Sequence, residues 1–169
     1  STWTPSGSAA DLSAGPAASA ALPEGVHVLG TGPIRIGADV RVEPGVLLDA
    51  REGGIRLDDG TEVLAGTRLA GPLHAGPGCR LLGGPIGLVS AGPRCYLRGE
   101  IEETIVLGYS NKAHDGFLGH ACLGRWVNLG AMTTNSDLKN NYGTVRVELP
   151  SGEVDTGLLK LGCLLGDHV

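Results

Sequence analysis

The chain of 169 residues is long enough for a single domain with a buried core, and its hydrophobic fraction of 41% argues against disorder despite 29 glycines. A net charge of −5 gives no reason to expect nucleic acid or an anionic membrane as a partner. No apolar run approaches the length of a membrane span, and there is no signal-peptide pattern. The four cysteines form no CxxC pair, which fits core positions in a reducing compartment, so we expect a cytoplasmic protein.

Residues 1–23 are rich in Ala, Ser, Gly and Pro and keep no period, which is typical of a linker or flexible tail. We expect residues 24–169 to form the folded domain. Because the chain begins at Ser1 rather than Met, and because its last repeat stops at Val169 in mid-unit, we expect a processed fragment that is truncated at its C-terminus.

A repeat of six residues runs through the domain and places an aliphatic or small side chain at every sixth position. Neither an amphipathic helix, with a period of 3.6, nor a half-buried strand, with a period of 2, predicts this spacing. A short strand followed by a corner does, and three such units close one triangular coil of a parallel β-helix. The sequence therefore predicts an all-β fold. The residues that keep the step are Ile36, Val42 and Leu48, then Leu57, Val63, Leu69, Ala75 and Leu81, then Phe117, Leu123 and Leu129, and finally Leu159 and Leu165.

The repeat lapses over residues 134–158. Residues 144–149 alternate between apolar and polar side chains like a strand, and Pro150, Ser151 and Gly152 supply a turn before Glu153. The pattern predicts a hairpin that is extruded from a corner of the β-helix.

Polar side chains crowd into the segment from Thr104 to Asn141, and no lysine of the chain precedes Lys112. A general base needs a group that can exchange a proton near neutral pH, and the imidazole side chain of His114 is the candidate. Asp115 or a backbone carbonyl could fix its tautomer. The alternative is that His114 is a structural or merely exposed histidine.

Asparagine and lysine side chains around His114 suit a phosphorylated sugar. Asn128 and Asn135 could hydrogen-bond the sugar or orient the reacting groups, although asparagines also stack in ladders in β-helices. Lys139 and Lys112 could hold a sugar phosphate as point charges, although most surface lysines are only solvated. Lys160 is a weaker candidate for binding phosphate groups.

Three stretches carry a family resemblance: Ser110 to Gly119, Leu123 to Ala131, and Thr133 to Asn135. They resemble the hexapeptide-repeat acetyltransferase half of bacterial bifunctional sugar-1-phosphate nucleotidylyltransferase/acetyltransferases. The closest likeness is to glucosamine-1-phosphate acetyltransferase/N-acetylglucosamine-1-phosphate uridylyltransferase. The resemblance implies a left-handed β-helix that forms homotrimers, with acetyl-CoA and an amino-sugar phosphate held between subunits.

By the same resemblance, each candidate residue receives a role. The implied catalytic residues are His114 and Asn128; the implied substrate-binding residues are Lys112, Phe117, Asn135 and Lys139; the implied cofactor-binding residues are Ala131 and Lys160. The sequence departs from the family pattern in three ways. Phe117 stands where a Tyr is usual, Met132 stands where a Gly is usual, and one spacer residue is missing between Ala113 and His114.

The function that these features favour is CoA-dependent acetylation of an amino-sugar phosphate similar to glucosamine 1-phosphate, within a bifunctional enzyme that makes a UDP-amino sugar. A structural or regulatory trimerisation module of a sugar-1-phosphate nucleotidylyltransferase is the alternative. A zinc site like that of β-helical carbonic anhydrases is less favoured, because it needs three imidazoles and His114 and His120 fall on different faces. We therefore expect no metal site.

Overall fold

The computed structural model describes residues 22–169, so residues 1–21 of the predicted tail lie outside the described part. The described residues form 18 short strands and no helix, and thus contain no helix that could cross a membrane. The strands are β1 (His27–Leu29), β2 (Ile34–Ile36), β3 (Arg41–Val42), β4 (Leu47–Asp49), β5 (Ile55–Leu57), β6 (Glu62–Val63), β7 (Thr67–Ala70), β8 (Leu73–Ala75), β9 (Arg80–Leu81), β10 (Gly84–Ala91), β11 (Tyr96–Leu97), β12 (Glu100–Gly108), β13 (Asn111–Lys112), β14 (Phe117–Gly119), β15 (Cys122–Arg125), β16 (Arg146–Leu149), β17 (Gly152–Asp155) and β18 (Leu164–Leu165).

The strands stack into the three parallel faces of a triangular prism. The first face runs from β1 through β4 and β7 to the first halves of β10 and β12, and ends at β14. The second face runs from β2 through β5 and β8 to the second halves of β10 and β12, then β15 and β18. The third face holds β3, β6, β9, β11 and β13. The chain is thus a β-solenoid of about six turns, consistent with a left-handed β-helix, and the predicted fold class is confirmed.

The interior of the prism is a set of aliphatic columns. On the first face, Leu48, Leu69, Ile86, Ile101 and Leu118 lie in register on successive coils, and all five are buried. Full burial of such a side chain contributes about 1.5–3 kcal/mol. The six-residue step from residue 57 to residue 81 marks interior positions, as predicted.

The step shortens to five residues where a corner residue adopts the left-handed conformation. Leu88, Glu103 and His120 have φ of 53°, 45° and 50°, and they occupy the same corner of three successive coils. At this corner only two residues separate consecutive inward side chains, whereas three residues separate Leu69 from Leu73. A single residue with positive φ turns the chain there, which is uncommon outside glycine.

This shortening corrects one position of the predicted repeat. Leu118 rather than Phe117 points inward, because Leu118 to Leu123 is a five-residue unit around His120. Leu159 was also predicted to resume the repeat and is instead 57% exposed. The coil resumes at Leu165, which packs against the core.

A second corner carries a stack of aromatic rings. Arg94, Tyr109, Trp126 and His168 all have positive φ and lie at this corner on successive coils. The rings of Tyr109 and Trp126 are stacked with centroids 4.7 Å apart, and the His168 ring lies parallel to Trp126 at 6.5 Å. This corner therefore presents stacked side chains along the outside of the last coils.

The predicted hairpin is confirmed as β16 and β17, which pair antiparallel. It extends from a neck in which Leu138 pairs with Lys160 and the Leu161 amide donates to the Asp137 carbonyl at 2.9 Å. The chain re-enters the prism where the Gly162 amide donates to the His120 carbonyl at 2.9 Å. The hairpin and its neck, residues 134–158 with 159–161, are called the excursion below.

Candidate functional site

The predicted site residues fall into two groups on the last complete coils. Lys112, His114 and Asn128 lie on or just after the third face, and Ala131 follows on an exposed turn. The other members lie on the first face or in the excursion; they are Phe117, Asn135, Lys139 and Lys160.

Lys112 lies inside the prism. It takes the interior position that Leu97 fills one coil earlier, and it is only 1% exposed. Its ammonium Nζ donates to the carbonyl oxygens of Arg98, at 3.1 Å, and His114, at 2.5 Å. Burial lowers the pKa of Lys112, while the nearby Asp115 carboxylate partly opposes that shift. A direct contact between Lys112 and a substrate phosphate stays a prediction, and its present contacts support the backbone.

His114 is exposed at the corner that follows β13. Among the described residues, its ring makes no hydrogen bond or ion pair, while its carbonyl oxygen accepts from Lys112. The Asp115 carboxylate pairs with Arg98 at 3.0 Å, and so does not orient the imidazole. The imidazole is therefore unengaged, which means that it makes no polar contact with the described residues, while the His114 backbone is held by the Lys112 ammonium inside the prism.

Asn128 pairs with Asn111 of the preceding coil. The Asn111 amide nitrogen donates to the Asn128 side-chain oxygen at 2.8 Å, as in an asparagine ladder. The Asn111 side-chain oxygen is buried without a partner. The Asn128 amide group can still donate outward, so both interpretations of this residue remain compatible with the geometry.

Asn135 closes the sheet edge where the excursion departs. Its side chain accepts from the Gly119 amide at 3.0 Å and donates to the Gly119 carbonyl at 2.9 Å. Phe117 lies over Gly119 and leaves no room for a side chain there. Lys139 is exposed, and its Nζ donates to the Thr144 carbonyl at 3.0 Å within the excursion. The two Asn135 hydrogen bonds hold the start of the excursion against the prism. The substrate-binding roles of Phe117, Asn135 and Lys139 stay predictions.

A cluster that the sequence did not single out surrounds His120. The Nδ1 atom of its ring lies 2.7 Å from Asp137, and Nε2 lies 3.1 Å from Glu103. The side chains of His120 and Asp137 are 13% and 11% exposed. Glu102 lies beside them, and the Lys160 ammonium is 3.5 Å from its carboxylate.

The sequence feature that could have revealed this cluster is the length of the local coil, which is 17 residues. Glu103, His120 and Asp137 are 17 residues apart (120 − 103 and 137 − 120), which is the register shift between β12 and β15. A strict six-residue repeat predicts 18 residues per coil, so it does not align Glu103, His120 and Asp137 with one another.

The cluster borders a cleft of about 450 Å³ between the excursion and the second face. Leu158, Leu159, Leu161 and Leu164 supply its apolar wall, and Lys160 lies at its rim. An apolar cleft with a few convergent polar groups is the usual form of a small-molecule site.

No family model matches the chain. A segment of 70 residues, 41% of this chain, is 29% identical to part of a bifunctional sugar-1-phosphate nucleotidylyltransferase/acetyltransferase of Sulfurisphaera tokodaii. The matched segment covers 18% of that relative, so the chain corresponds to a small part of it. This distant similarity, together with the β-solenoid, is consistent with a sugar acetyltransferase-like β-helix family.

Proposed function

We propose that the chain is a CoA-dependent acetyltransferase that acts on an amino-sugar phosphate similar to glucosamine 1-phosphate. The observation that carries the proposal is the unengaged imidazole of His114, exposed on a corner whose carbonyl is held by the buried Lys112. A general base must reach its substrate without losing another partner, and this arrangement leaves both ring nitrogens available.

In the proposed reaction, the imidazole of His114 accepts a proton from the acceptor amine, which attacks the thioester carbonyl. The carbonyl carbon forms a bond to nitrogen, its bond to sulfur breaks, and CoA leaves as the thiol after taking up a proton. The outward donors of the Asn128 amide would stabilise the developing oxyanion. Because Lys112 is buried, we assign it to the support of His114, and assign the sugar phosphate to Lys139.

Acetyl-CoA would lie against the exposed backbone around Ala131 and the ammonium of Lys160. An exposed corner such as that of His114 gives an open site, and the packing of three prisms around a three-fold axis would close it. We therefore include a homotrimer in the proposal. Phe117 and Asn135 would shape the wall near the sugar through their contacts with Gly119.

The second candidate function is a structural or regulatory trimerisation module of a sugar-1-phosphate nucleotidylyltransferase. The pairing of Asn111 with Asn128 and the two hydrogen bonds from Asn135 to Gly119 favour it, because both use predicted site side chains for structure. In this alternative the prism assembles subunits and consumes no thioester.

The deciding experiment incubates the purified protein with acetyl-CoA and glucosamine 1-phosphate and quantifies free CoA and acetylated sugar by mass spectrometry. Mass spectrometry is preferable to a thiol reagent because Cys122 and Cys163 are only partly buried. Glucosamine 6-phosphate and galactosamine 1-phosphate test the acceptor. Acetylated sugar above the enzyme-free control supports the proposal. Its absence with every acceptor, in a protein that is trimeric by light scattering, would support the trimerisation module instead.

A further inference from the structure

We propose that the cluster of Glu102, His120 and Asp137 binds one divalent metal ion. One potential ligand atom from each of these residues lies within 4.8 Å of the other two. Zinc binds imidazole nitrogen and carboxylate oxygen at about 2.0–2.2 Å, which places tetrahedral donor atoms roughly 3–3.5 Å apart. Small side-chain rotations bring the three donors to that spacing, because His120 and Asp137 are already in contact.

The proton inventory of the His120 ring supports the site. Both ring nitrogens face carboxylates, Asp137 at Nδ1 and Glu103 at Nε2. A neutral imidazole carries one N–H and can donate to only one of them, so either a second proton or a metal ion must occupy the other nitrogen. A metal ion at Nδ1 removes the conflict, because Asp137 then becomes a fellow ligand and the Nε2 proton is donated to Glu103. A carboxylate that accepts from the second nitrogen is the usual support of a metal-binding histidine.

The local charge points in the same direction. Three carboxylates, those of Glu102, Glu103 and Asp137, converge on one imidazole. The ammonium of Lys160, 3.5 Å from Glu102, is the cation that a metal ion would replace at this carboxylate. One nitrogen and two oxygen donors suit Zn²⁺ or Mn²⁺ better than Ca²⁺ or Mg²⁺, which prefer ligand sets made of oxygen alone.

The three ligands come from three separate parts of the fold. Glu102 belongs to β12, His120 is the corner residue after β14, and Asp137 begins the neck of the excursion. A bound ion would therefore tie the excursion to the prism beside the apolar cleft. Because His120 also lines that cleft, water or an oxygen atom of a ligand in the cleft could complete the coordination of the ion.

A comparable pair elsewhere in the chain provides an internal control. His74 Nε2 lies 2.8 Å from one oxygen of Asp58, but Arg56 holds the other oxygen at 2.7 Å. A guanidinium in place of additional carboxylates removes both the free donor atoms and the surplus negative charge. This pair should not bind a metal ion.

The test uses the chain of residues 1–169 without an affinity tag, after removal of metal by a chelator. Zn²⁺ binding is measured by calorimetry and Mn²⁺ binding by electron paramagnetic resonance; Mn²⁺ discriminates against soft thiolate ligands such as Cys122 and Cys163. We expect one ion per chain. Since loss of a supporting residue costs about 10–100-fold in affinity, Glu103→Gln should weaken binding by that factor. Loss of a ligand in Asp137→Asn or Glu102→Gln should weaken it by at least roughly 100-fold.

His74→Gln should bind like the wild type, and Lys160→Met should bind more tightly because a competing cation is gone. If a ligand variant is poorly folded, metal-dependent protection of the wild-type excursion from trypsin at Lys139 and Arg146 gives an independent readout. Unchanged binding by a Glu102→Gln, Asp137→Asn double variant would overturn the proposal, as would no binding at roughly millimolar ion. None of these measurements uses acetyl-CoA, so their outcome is independent of the acetyltransferase proposal.

Discussion

Replacing Lys112 by methionine tests whether an internal ammonium supports the corner of His114. Methionine keeps the length of the side chain in the interior column but removes the donor. The carbonyl oxygens of Arg98 and His114 then lose the Lys112 hydrogen bonds. A buried polar group without a partner costs about 1–3 kcal/mol, so the two carbonyls together cost about 2–6 kcal/mol.

Relief of the buried ammonium offsets part of this loss, because the desolvation of a charge is unfavourable. We expect a net destabilisation of about 2 kcal/mol, which lowers the melting temperature of a chain of this size by about 4–8 °C. Lys139→Met removes the same charge from an exposed position and should change the free energy of unfolding by less than about 0.5 kcal/mol.

The pH dependence supplies a second readout. Burial lowers the pKa of Lys112 in the folded state, while an unfolded lysine titrates near 10.4. Between these two values the unfolded chain binds more protons, so the free energy of unfolding of the wild type rises with pH in this window. Other titrating groups are common to both proteins, so the difference between wild type and Lys112→Met isolates this contribution.

The assay is urea unfolding from about pH 7 to about pH 10.5 for wild type, Lys112→Met and Lys139→Met. We expect the rise with pH to be smaller in Lys112→Met than in the other two proteins. Equal pH slopes in all three would show that Lys112 titrates like an exposed lysine. A methionine variant more stable than the wild type at neutral pH would show that the two carbonyl contacts do not stabilise the fold.

Other predictions address the proposed activity, the core and the assembly. His114→Ala should lower kcat by about 10²–10⁴-fold and keep the melting temperature within about 2 °C of wild type. The control variant His27→Ala, at an exposed position on the first coil, should change neither quantity. If His114→Ala keeps more than about half of the wild-type activity, its role as the general base is refuted. Phe117→Tyr should retain activity in the same assay, since it adds only a hydroxyl, and a large loss would show that the wall around Gly119 has no room for it. Leu123→Ala should cost about 2–5 kcal/mol in urea unfolding, because it empties a fully buried position, and a smaller loss would mean that the column collapses around the gap. Light scattering at micromolar concentration should report a trimer, and a monomer alone would contradict the proposed assembly.

The fold was predictable because a six-residue period has few structural solutions. Five residues at six-residue intervals keep that period and are buried inside the prism: Leu57, Val63, Leu69, Ala75 and Leu81. The period failed at Phe117 because the corner at His120 uses one residue fewer, and a left-handed conformation at a non-glycine residue leaves no clear mark in a sequence.

The candidate site was less predictable than the fold. A lysine is normally a surface residue, so the sequence did not reveal that Lys112 lies in an aliphatic column and donates to two carbonyls. The surroundings of His120 depend on the register between coils, which joins Glu103 and Asp137 from 17 residues away on either side. When coils differ in length, the spacing of residues along the sequence does not predict which residues of neighbouring coils lie side by side.

The stack of Tyr109, Trp126 and His168 makes the coils that carry these residues observable by spectroscopy. Each coil contacts only its neighbours, so stability is close to a sum of nearest-neighbour terms along one dimension. Opening of the coil that carries His168 would separate its ring from Trp126, and opening of the preceding coil would separate Trp126 from Tyr109, while the columns of the early coils stay closed. Indole emission would therefore change before the β-sheet signal in circular dichroism, and the gap between the two transitions would measure how far unfolding departs from a single cooperative step.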